Sequence, residues 1–283
     1  MSEFITLQSG ARQLVLSQPR LMGILNITPD SFSDGGQFQT VDDALYQAER
    51  LLQEGATFLD VGGESTRPGA QTVTENEELA RIIPVIEAIA GCFDVWISVD
   101  TSKPVVMEAA IKAGAHLIND VRALQMPSAL ATAVSLDVPV CLMHMQGQPT
   151  NMQITPHYDD VVSEVKQFLL NRVTTCAAAG LARQHMMLDP GFGFGKSLAH
   201  NVTLVKQLPE IVNLGFAVLV GVSRKSFLGT LVQHDQKIRA VDERLSASVA
   251  AALYLAQQGA HILRVHDVGA TNDALKIWQA FSA

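Results

Sequence analysis

The sequence predicts an α/β fold in which eight parallel strands close into a single (β/α)8 TIM barrel. Two observations lead to this prediction. Short apolar runs rich in β-branched residues alternate with segments of helical spacing, and the alternation occurs eight times within the 283 residues. Near-continuous apolar runs are typical of parallel strands buried on both faces. A barrel of this kind takes about 250 residues, so we expect one domain over residues 1–283.

The predicted strands are Leu21–Leu25, Thr57–Val61, Val95–Val99, His116–Asn119, Val138–Met143, His185–Leu188, Phe216–Val220 and His261–Val265. The predicted helices are Val41–Gln53, Asn76–Ala90, Pro104–Lys112, Ser128–Ser135, Tyr158–Ala178, Asn201–Leu208, Arg244–Gln257 and Thr271–Phe281. The alternative is an open, doubly wound sheet, which requires a glycine fingerprint after the first strand. That place reads Asn26-Ile27-Thr28-Pro29-Asp30, so the barrel is favoured.

Composition restricts the class of function. The net charge is −8, which disfavours nucleic acid as a partner because binding to a phosphate backbone requires a basic face. No apolar run reaches the roughly 18 residues of a transmembrane helix. Residues 1–4 lack the basic start and apolar stretch of a signal peptide, so we expect a cytoplasmic protein without membrane partners. Cys92, Cys141 and Cys176 form no CxxC pair, and we interpret them as reduced packing residues.

Polar residues follow nearly every predicted strand. In a (β/α)8 barrel the chemistry takes place at the carboxyl ends of the strands. One polar strand end is uninformative because such ends are wet, but a full ring of them indicates a site. Its members are Asn26, Asp60, Asp100, Asn119, Asp120, Met143, His144, Asp189, the segment 221–226, Arg264 and His266.

The residue types in this ring suggest the ligand. A carboxylate accepts hydrogen bonds from a ring N–H and an exocyclic amine together, and an Asn side chain supplies one donor and one acceptor. Asp100, Asn119 and Asp189 therefore suit the amide–amine edge of a pterin or a guanine. Lys225 and Arg264 bring positive charge beside these acids, or pair with them as structural salt bridges.

Two loops are polar and rich in glycine. Residues 26–36 combine hydroxyls, acids and an aromatic ring, and residues 62–69 offer backbone N–H groups, a hydroxyl and the Arg67 guanidinium. The second set suits a phosphate, and both loops could close as lids. Ordinary surface loops are the alternative for either one alone.

The segment Asp189–Ser197 looks like a phosphate loop but fails both tests. Pro190 occupies the first glycine position of a Walker A motif, and Lys196 occupies the last glycine position of GxGxxG. We expect its glycines to let Phe194 and the backbone approach a flat substrate. Among the histidines, His266 is interpreted as functional. Three others lie on or beside strands and are interpreted as packing or register residues: His116, His185 and His261.

Eight blocks in order resemble the signatures of the dihydropteroate synthase family. They are Leu25–Gly36, Asp60–Gly69, Ser98–Thr101, Ile118–Asp120, Met143–Gly147, Leu188–Lys196, Ser223–Ser226 and Arg264–Asp267. The resemblance covers almost the whole chain. It implies condensation of 6-hydroxymethyl-7,8-dihydropterin diphosphate with 4-aminobenzoate, which yields 7,8-dihydropteroate and diphosphate.

The resemblance also implies roles for residues. The pterin would be held by Asp60, Asp100, Asn119, Asp189 and Lys225, with Met143 and Arg264 on its faces. The diphosphate would be bound by Thr66, Arg67, Arg264 and His266, and Mg2+ by Asn26 with Asp34 reaching in. The aminobenzoate slot would be formed by Phe32, Pro68, Phe194 and Ser226. The catalytic set would be Asn26, Asp34, Arg67, Lys225, Arg264 and His266.

Two rival functions share parts of this site. A barrel methyltransferase that binds methyl-tetrahydrofolate needs no diphosphate site, so Asn26, Arg67 and His266 argue against it. A non-catalytic pterin-binding protein predicts losses at the metal or diphosphate positions, which the sequence does not show. The resemblance further implies a homodimer through the helices 244–257 and 271–281. The charged segment 232–243 is expected to be a surface loop.

Overall fold

The computed structural model describes residues 4–27, 41–65, 73–147, 152 and 154–282. Eight parallel strands form a closed barrel in the order β10-β3-β4-β5-β6-β7-β8-β9, which confirms the predicted fold class. The barrel strands are β3 (Arg20–Asn26), β4 (Phe58–Gly62), β5 (Trp96–Asp100), β6 (Leu117–Asp120), β7 (Val140–Met143), β8 (Met186–Asp189), β9 (Ala217–Val220) and β10 (Ile262–Val265). The last strand closes the ring, since Leu263 of β10 aligns with Leu21 of β3.

Ten α-helices are assigned within the described ranges. They are α1 (Val41–Gln53), α2 (Glu75–Cys92), α3 (Pro104–Lys112), α4 (Ala129–Leu136), α5 (Val161–Ala178), α6 (Leu198–Lys206), α7 (Pro209–Val212), α8 (Ser226–Leu231), α9 (Leu245–Gln257) and α10 (Val268–Ser282). All eight predicted helices are present. The short helices α7 and α8 were not predicted, because four and six residues are too few to show a helical period.

The two faces of each strand belong to different cores, because successive side chains of a strand point to opposite sides. Leu59 and Val61 of β4 pack outward with Ile82 and Ile86 of α2 in the larger core between strands and helices. A second cluster takes residues from every barrel strand and so fills the barrel interior. Its members are Met22, Phe58, Trp96, Leu117, Cys141, Met187, Ala217, Leu219 and Ile262, together with Leu7 and Leu16.

An N-terminal hairpin, which the sequence analysis did not predict, covers one end of the barrel. Strands β1 (Thr6–Ser9) and β2 (Arg12–Val15) pair antiparallel around Gly10. Leu7 is fully buried against the interior cluster, while the rest of the hairpin is largely exposed. A pattern with so few buried positions in two four-residue strands is too weak to read from the sequence.

Two of the strand histidines set register, as predicted. The His116 backbone N–H donates to the Ile97 carbonyl at 2.8 Å, and its ring Nδ1 accepts from the Ile97 N–H at 3.1 Å. His261 makes the same pair of bonds with Val218, at 2.9 and 3.1 Å. Each imidazole therefore extends the ladder at a strand start, and burial lowers the pKa of both rings. His185 is buried beside β8, in keeping with a packing role.

Smaller features complete the comparison with the sequence. Residues 232–243 are almost entirely exposed, which confirms the surface loop. Cys141 and Cys176 are buried free thiols, but Cys92 is exposed at the end of α2, so its interpretation as a packing residue is wrong. The reason is that the last turn of α2 extends beyond the edge of the core. No helix in the described ranges is both long and apolar enough to cross a membrane.

Candidate active site

Most members of the predicted polar ring have the same inward orientation as the interior cluster and lie at the barrel mouth. Asp60 is two residues after Phe58, Asn119 two after Leu117, and Asp189 two after Met187. A spacing of two returns a strand to the same face. The apolar interior therefore changes, one step toward the strand exits, into a buried polar layer formed by Asp60, Asp100, Asn119 and Asp189.

Asp120 and His144 do not share this orientation, because each is one residue out of step with the inward face. Asp120 accepts hydrogen bonds from Ser102 Oγ and from the backbone N–H groups of Arg122 and Leu124, and His144 contacts the buried Lys196.

Arg264 joins two of the acids across the mouth. Its Nε donates to Asp60 Oδ2 at 2.6 Å, and its Nη2 donates to Asp100 Oδ2 at 2.7 Å. Asn119 Nδ2 also donates to Asp60 Oδ2, at 3.2 Å. Burial acts against the charge of the guanidinium, but Asp60 and Asp100 raise the pKa of Arg264 above its usual range. The structural salt bridges that the sequence left open are therefore present.

The acids retain capacity for a ligand. Within the described part of the chain, Asp60 Oδ1 is buried without a hydrogen-bond partner. Burial raises the pKa of Asp100 to about 7, although Arg264 lowers it. An unsatisfied acceptor inside a protein is costly, so a site of this kind favours a ligand that donates N–H groups.

Asp189 and Lys225 face each other across β8 and β9. Asp189 Oδ1 accepts from the Gly191 N–H at 2.7 Å, and burial raises the pKa of this carboxyl. Lys225 Nζ donates to the Phe192 carbonyl and lies 4.0 Å from the centre of the Phe194 ring. Burial lowers the pKa of Lys225 to about 7, although Asp189 raises it.

The glycines after β8 are required for close packing of the loop, a reason that the sequence analysis did not give. Gly191, Gly193 and Gly195 all have φ between +60° and +77°. A Cβ on Gly191 would lie 1.9 Å from the His144 carbonyl oxygen, and one on Gly195 would lie 2.3 Å from that of Gln146. The glycines thus allow the loop to pack against the neighbouring strand exit, and their role in the approach of Phe194 to a flat substrate stays a prediction.

The next two strands around the barrel, β10 and β3, carry His266 and Asn26 at their exits. His266 Nδ1 lies 3.0 Å from Ser223 Oγ, which also accepts the His266 backbone N–H at 3.2 Å. Asn26 ends β3 and aligns with Gly62 at the end of β4. Because β10, β3 and β4 are adjacent, His266 and Asn26 lie on the same side of the barrel mouth as Arg264.

Five predicted residues lie outside the described residues: Phe32, Asp34, Thr66, Arg67 and Pro68. Their loops leave the barrel at residues 27 and 65, directly after the adjacent strands β3 and β4. Ser226 is exposed at the start of α8, one residue after Lys225. The prediction that these six residues contact diphosphate, metal or aminobenzoate stays a prediction.

Sequence reasoning missed the ion cluster at the base of the second loop. Lys103 Nζ donates to Glu64 Oε2 and Glu78 Oε2, both at 2.5 Å, and Glu78 is fully buried. Arg81 Nη1 donates to the Gly63 carbonyl at 2.7 Å. These bonds fix residues 63 and 64 immediately before the segment that contains Thr66 and Arg67. Only the motif membership of Glu64 could have indicated the cluster, because its partners are 14 and 39 residues away along the chain.

A small pocket lies beside the exits of β6 and β7. Its volume is about 110 Å³, and Met143 contributes to its wall. The other lining residues are Val121, Arg122, Gln125, Met126, Met145, Gly147 and Phe168. The thioether of Met143, which is buried at the end of β7, therefore lies between the polar ring and a partly apolar cavity.

The donor set beside Asn26 fits a magnesium ion that keeps most of its own shell. The described residues contain no cluster of three His, Cys, Asp or Glu side chains that would hold a metal unaided. Gly62 lies between two oxygen donors: a Cβ there would lie 3.8 Å from Asn26 Oδ1 and 3.7 Å from Asp100 Oδ2, and only 3.3 Å from Asp100 Cβ. Mg2+ prefers such oxygen donors and usually completes its shell with water and substrate phosphates.

Comparison with known proteins agrees with this geometry. The family model described as "Pterin binding enzyme" matches residues 22–266. The dihydropteroate synthase of Haemophilus influenzae is 55% identical over 94% of this chain and 95% of its own length. The Escherichia coli K12 enzyme of the same name is 52% identical over 94% of this chain and 93% of its own.

Solved structures give the same result. A Yersinia pestis dihydropteroate synthase in a sulfonamide complex superposes with a TM-score of 0.93, at 52% identity over 99% of this chain and 100% of that one. The Xanthomonas albilineans synthase with 4-aminobenzoic acid has a TM-score of 0.93, at 51% identity and 99% coverage of both chains. The same organism's enzyme with 7,8-dihydropteroate has a TM-score of 0.88, at 48% identity over 98% of this chain and 99% of that one.

The chain, a barrel with an acidic mouth, therefore belongs to the pterin-binding enzyme family. Within that family the chain falls among the dihydropteroate synthases, which are transferases.

Proposed function

We propose that this chain, as a single domain, joins 6-hydroxymethyl-7,8-dihydropterin diphosphate to 4-aminobenzoate. The observation that carries the proposal is the buried layer of Asp60, Asp100, Asn119 and Asp189 at the barrel mouth, bridged by Arg264. The relatives that have been solved with 4-aminobenzoic acid and with 7,8-dihydropteroate support the same substrates here.

The acids recognise the pterin by accepting its N–H groups. Asp189 keeps one carboxylate oxygen beyond the bond from Gly191, and Asp60 Oδ1 is an unused acceptor within the described residues. Asn119 and Lys225 supply donors for the ring carbonyl and nitrogen atoms. Charge-assisted bonds of this kind each contribute about 1.5–3 kcal/mol, and they orient a flat heterocycle across the mouth.

Arg264 has two tasks that its position allows. Its bonds to Asp60 and Asp100 hold the acids in place, while its side chain remains 21% exposed toward the mouth. The exposed part of the guanidinium can pack on the pterin face and meet the diphosphate. His266, positioned by Ser223, directly follows the same strand, two residues after Arg264, and adds a second group for that anion.

The reaction breaks the bond between the pterin methylene carbon and the diphosphate oxygen and forms a carbon–nitrogen bond. The departing oxygen gains negative charge, which His266, Arg264 and Arg67 stabilise more in the transition state than in the ground state. Mg2+, held by Asn26 and Asp34, supplies additional neutralisation of that charge when bound. The electron-rich pterin shares the positive charge that develops on the methylene.

The arylamine is a weak nucleophile but is neutral at pH 7, so no strong base is required to activate it. Its nitrogen loses one proton to solvent once the new bond forms. Phe194 and Ser226, together with Phe32 and Pro68 of the loops, form the slot that brings the amine to the methylene. Holding both reactants in line accounts for several kcal/mol of the barrier reduction. A sulfonamide, which mimics aminobenzoate, is expected to compete for this slot.

Exposed apolar residues support a homodimer through the last helices. Helix α9 contains no charged residue, and Leu245 and Tyr254 on it are 42% and 40% exposed. On α10, Ile277 is 56% and Phe281 is 84% exposed. Large exposed apolar surfaces mark interaction sites. Analytical ultracentrifugation of the wild type and of Tyr254→Glu tests this: a dimer that the variant converts to monomer supports it, and a wild-type monomer refutes it.

The enzymatic proposal, including a cytoplasmic location and a Mg2+ requirement, is tested first with the purified protein. It is incubated with both substrates, with Mg2+ or with EDTA, and diphosphate and dihydropteroate are measured together. Equal amounts of the two products, formed only with the metal, support the proposal. Pterin binding without either product in the presence of Mg2+ would favour a pterin-binding protein.

Fractionation of the source cells, with detection of the chain, tests the location.

A further inference from the structure

A second lysine lies behind the active site and is almost fully buried. Lys196 is 3% exposed, and its Nζ contacts the Gly191 carbonyl at 2.8 Å, the Phe194 carbonyl at 3.1 Å and His144 Nδ1 at 2.9 Å. Burial lowers the pKa of Lys196 well below its ordinary value, and Asp189 acts in the opposite direction. In the ammonium form the group has three N–H donors, which these three acceptors satisfy completely. Burial lowers the pKa of His144 to about 2, so the ring is neutral and its Nδ1 is able to accept.

The three acceptors identify what Lys196 holds. Two of them are carbonyls of the loop after β8, on either side of Phe192, and the third belongs to the exit of β7. On the other side of the loop, Asn201 Oδ1 accepts the Gly193 N–H at 2.7 Å. The loop is therefore fixed from two directions, and its left-handed glycines allow successive carbonyls to point to opposite sides.

The same loop determines where Lys225 lies. The Phe192 carbonyl, which points away from Lys196, accepts from Lys225 Nζ, and the Phe194 ring lies 4.0 Å from that atom. The aliphatic chain of Lys225 crosses Gly193 so closely that a Cβ there would be 2.8 Å from Lys225 Cδ. All of these contacts are made by residues 192–194, which lie between the two loop carbonyls that Lys196 holds.

We propose that Lys196 is a positioning residue for the reaction, which holds residues 191–194 so that Lys225 meets the pterin beside Asp189. The inference rests on the proposed function, because it assigns Lys225 to the pterin. A buried ammonium costs free energy that a methionine of similar size does not, so stability alone gives no reason for a lysine at this position.

The test is Lys196→Met in the full-length protein, with Lys166→Met as the matched control. Lys166 makes an exposed ion pair with Glu210 on the outer face of α5, far from the mouth. If Lys196 positions Lys225, the KM for the dihydropterin diphosphate rises about 10- to 100-fold, the loss of one charge-assisted hydrogen bond, while kcat changes less. A purely structural role reduces the active fraction, so kcat falls and KM stays the same.

A double-variant cycle with Lys225→Met gives the second readout. If the two lysines act together, Lys196→Met adds almost nothing once Lys225 is replaced. If the KM increases of the two single variants multiply in the double variant, the inference is wrong. A wild-type KM in Lys196→Met would also overturn it. Should Lys196→Met fail to fold, Asn201→Ala releases the Gly193 N–H from the other side and is expected to show the same KM rise and the same cycle. Failure of the wild type to form product would refute the proposed function instead.

Discussion

The two halves of the barrel interior differ sharply although the same strands form both. At the end covered by the hairpin, the inward side chains are apolar, as at Phe58, Trp96 and Met187. Two to four residues further along the same strands, the inward side chains are Asp60, Asp100 and Asp189. The comparison shows that each strand has two functions at different positions along its length. Its side chains near the hairpin stabilise the fold by packing, and those near its carboxyl end bind the ligand.

Burial has opposite effects on the free energy of folding in the two regions. Burial of apolar side chains stabilises the fold by about 25 cal/mol per Å² removed from water. Burial of a carboxylate costs free energy, and for this reason burial raises the pKa of Asp189. A mutation at the closed end should therefore change stability without chemistry, and one at the mouth should change chemistry with a variable effect on stability.

The largest effect is expected from Arg264→Met, which leaves Asp60 and Asp100 buried without their shared partner. Breaking a buried ion pair from one side typically costs about 3–5 kcal/mol of stability. We also expect kcat/KM to fall by about 1,000-fold, because the acids repel each other and the anion loses a cation. Urea unfolding measures the loss of stability, and steady-state kinetics measure the fall in kcat/KM. Arg183→Met, which removes a cation over Phe216 far from the mouth, is the control. Near-wild-type activity in Arg264→Met would contradict the site.

At the closed end, Met187→Ala should lower the free energy of unfolding by about 3 kcal/mol, because it leaves a cavity beside Phe58 and Trp96. The KM values of both substrates should stay within about twofold, since Met187 contacts no predicted ligand. Chemical denaturation and kinetics at a temperature where the variant is folded test both statements. Val105→Ala, at a 49% exposed position on α3, should leave stability unchanged. A large KM change in Met187→Ala would show that the two halves are coupled.

Asp189→Asn should separate function from stability at one position. The amide retains an acceptor for the Gly191 N–H but loses the charge, so we expect kcat/KM to fall about 10- to 100-fold. Because the buried charge is removed, stability should stay equal or rise by up to about 1 kcal/mol. Thermal unfolding and pterin titration provide the two numbers. A variant that loses stability and retains affinity would assign Asp189 to the fold rather than to the ligand.

The smallest effect concerns pH and the register histidines. Burial lowers the pKa of His261 below its ordinary value, so its stabilisation is complete above about pH 6.5 and is lost as the pH falls through the lowered pKa. The free energy of unfolding changes by at most about 1.4 kcal/mol per pH unit for this one group. His261→Asn places an uncharged acceptor near the Val218 N–H, so its stability should depend less on pH between 6.5 and 5. Denaturation curves of the wild type and of His261→Asn at several pH values test this. The same pH dependence of the unfolding free energy in both proteins would contradict it.

Much of the fold and of the site was accessible from the sequence because both depend on local spacing. Asp60, Asn119 and Asp189 directly follow apolar runs, and the two-residue period of a strand assigns them to one face. His116 and His261 were recognisable as register residues by their place at the strand starts. The α7 and α8 helices and the β1–β2 hairpin were missed because short elements carry too little periodic signal.

Other features depend on partners that are distant in the chain. Glu64 finds Lys103 and Glu78 only because β4, α2 and β5 are neighbours in space. The glycines of the β8 loop were visible, but their reason was not, since the obstructing carbonyls belong to His144 and Gln146 on another strand exit. Lys196 appeared as a failed motif position, and only the folded loop shows the three groups it contacts.

The sequence by itself determined that eight apolar runs alternate with helices and that nearly every run is followed by a polar group, because these properties belong to residues a few positions apart. Only the tertiary structure decided that Arg264 joins Asp60 to Asp100, that Asp189 lies near Lys225, and that Lys196 lies behind them. Closure of the barrel brings β10 beside β3 and thereby places residues 204 positions apart within hydrogen-bond distance. The chemistry of the site arises from that closure, because charges interact strongly only at short range in a buried environment.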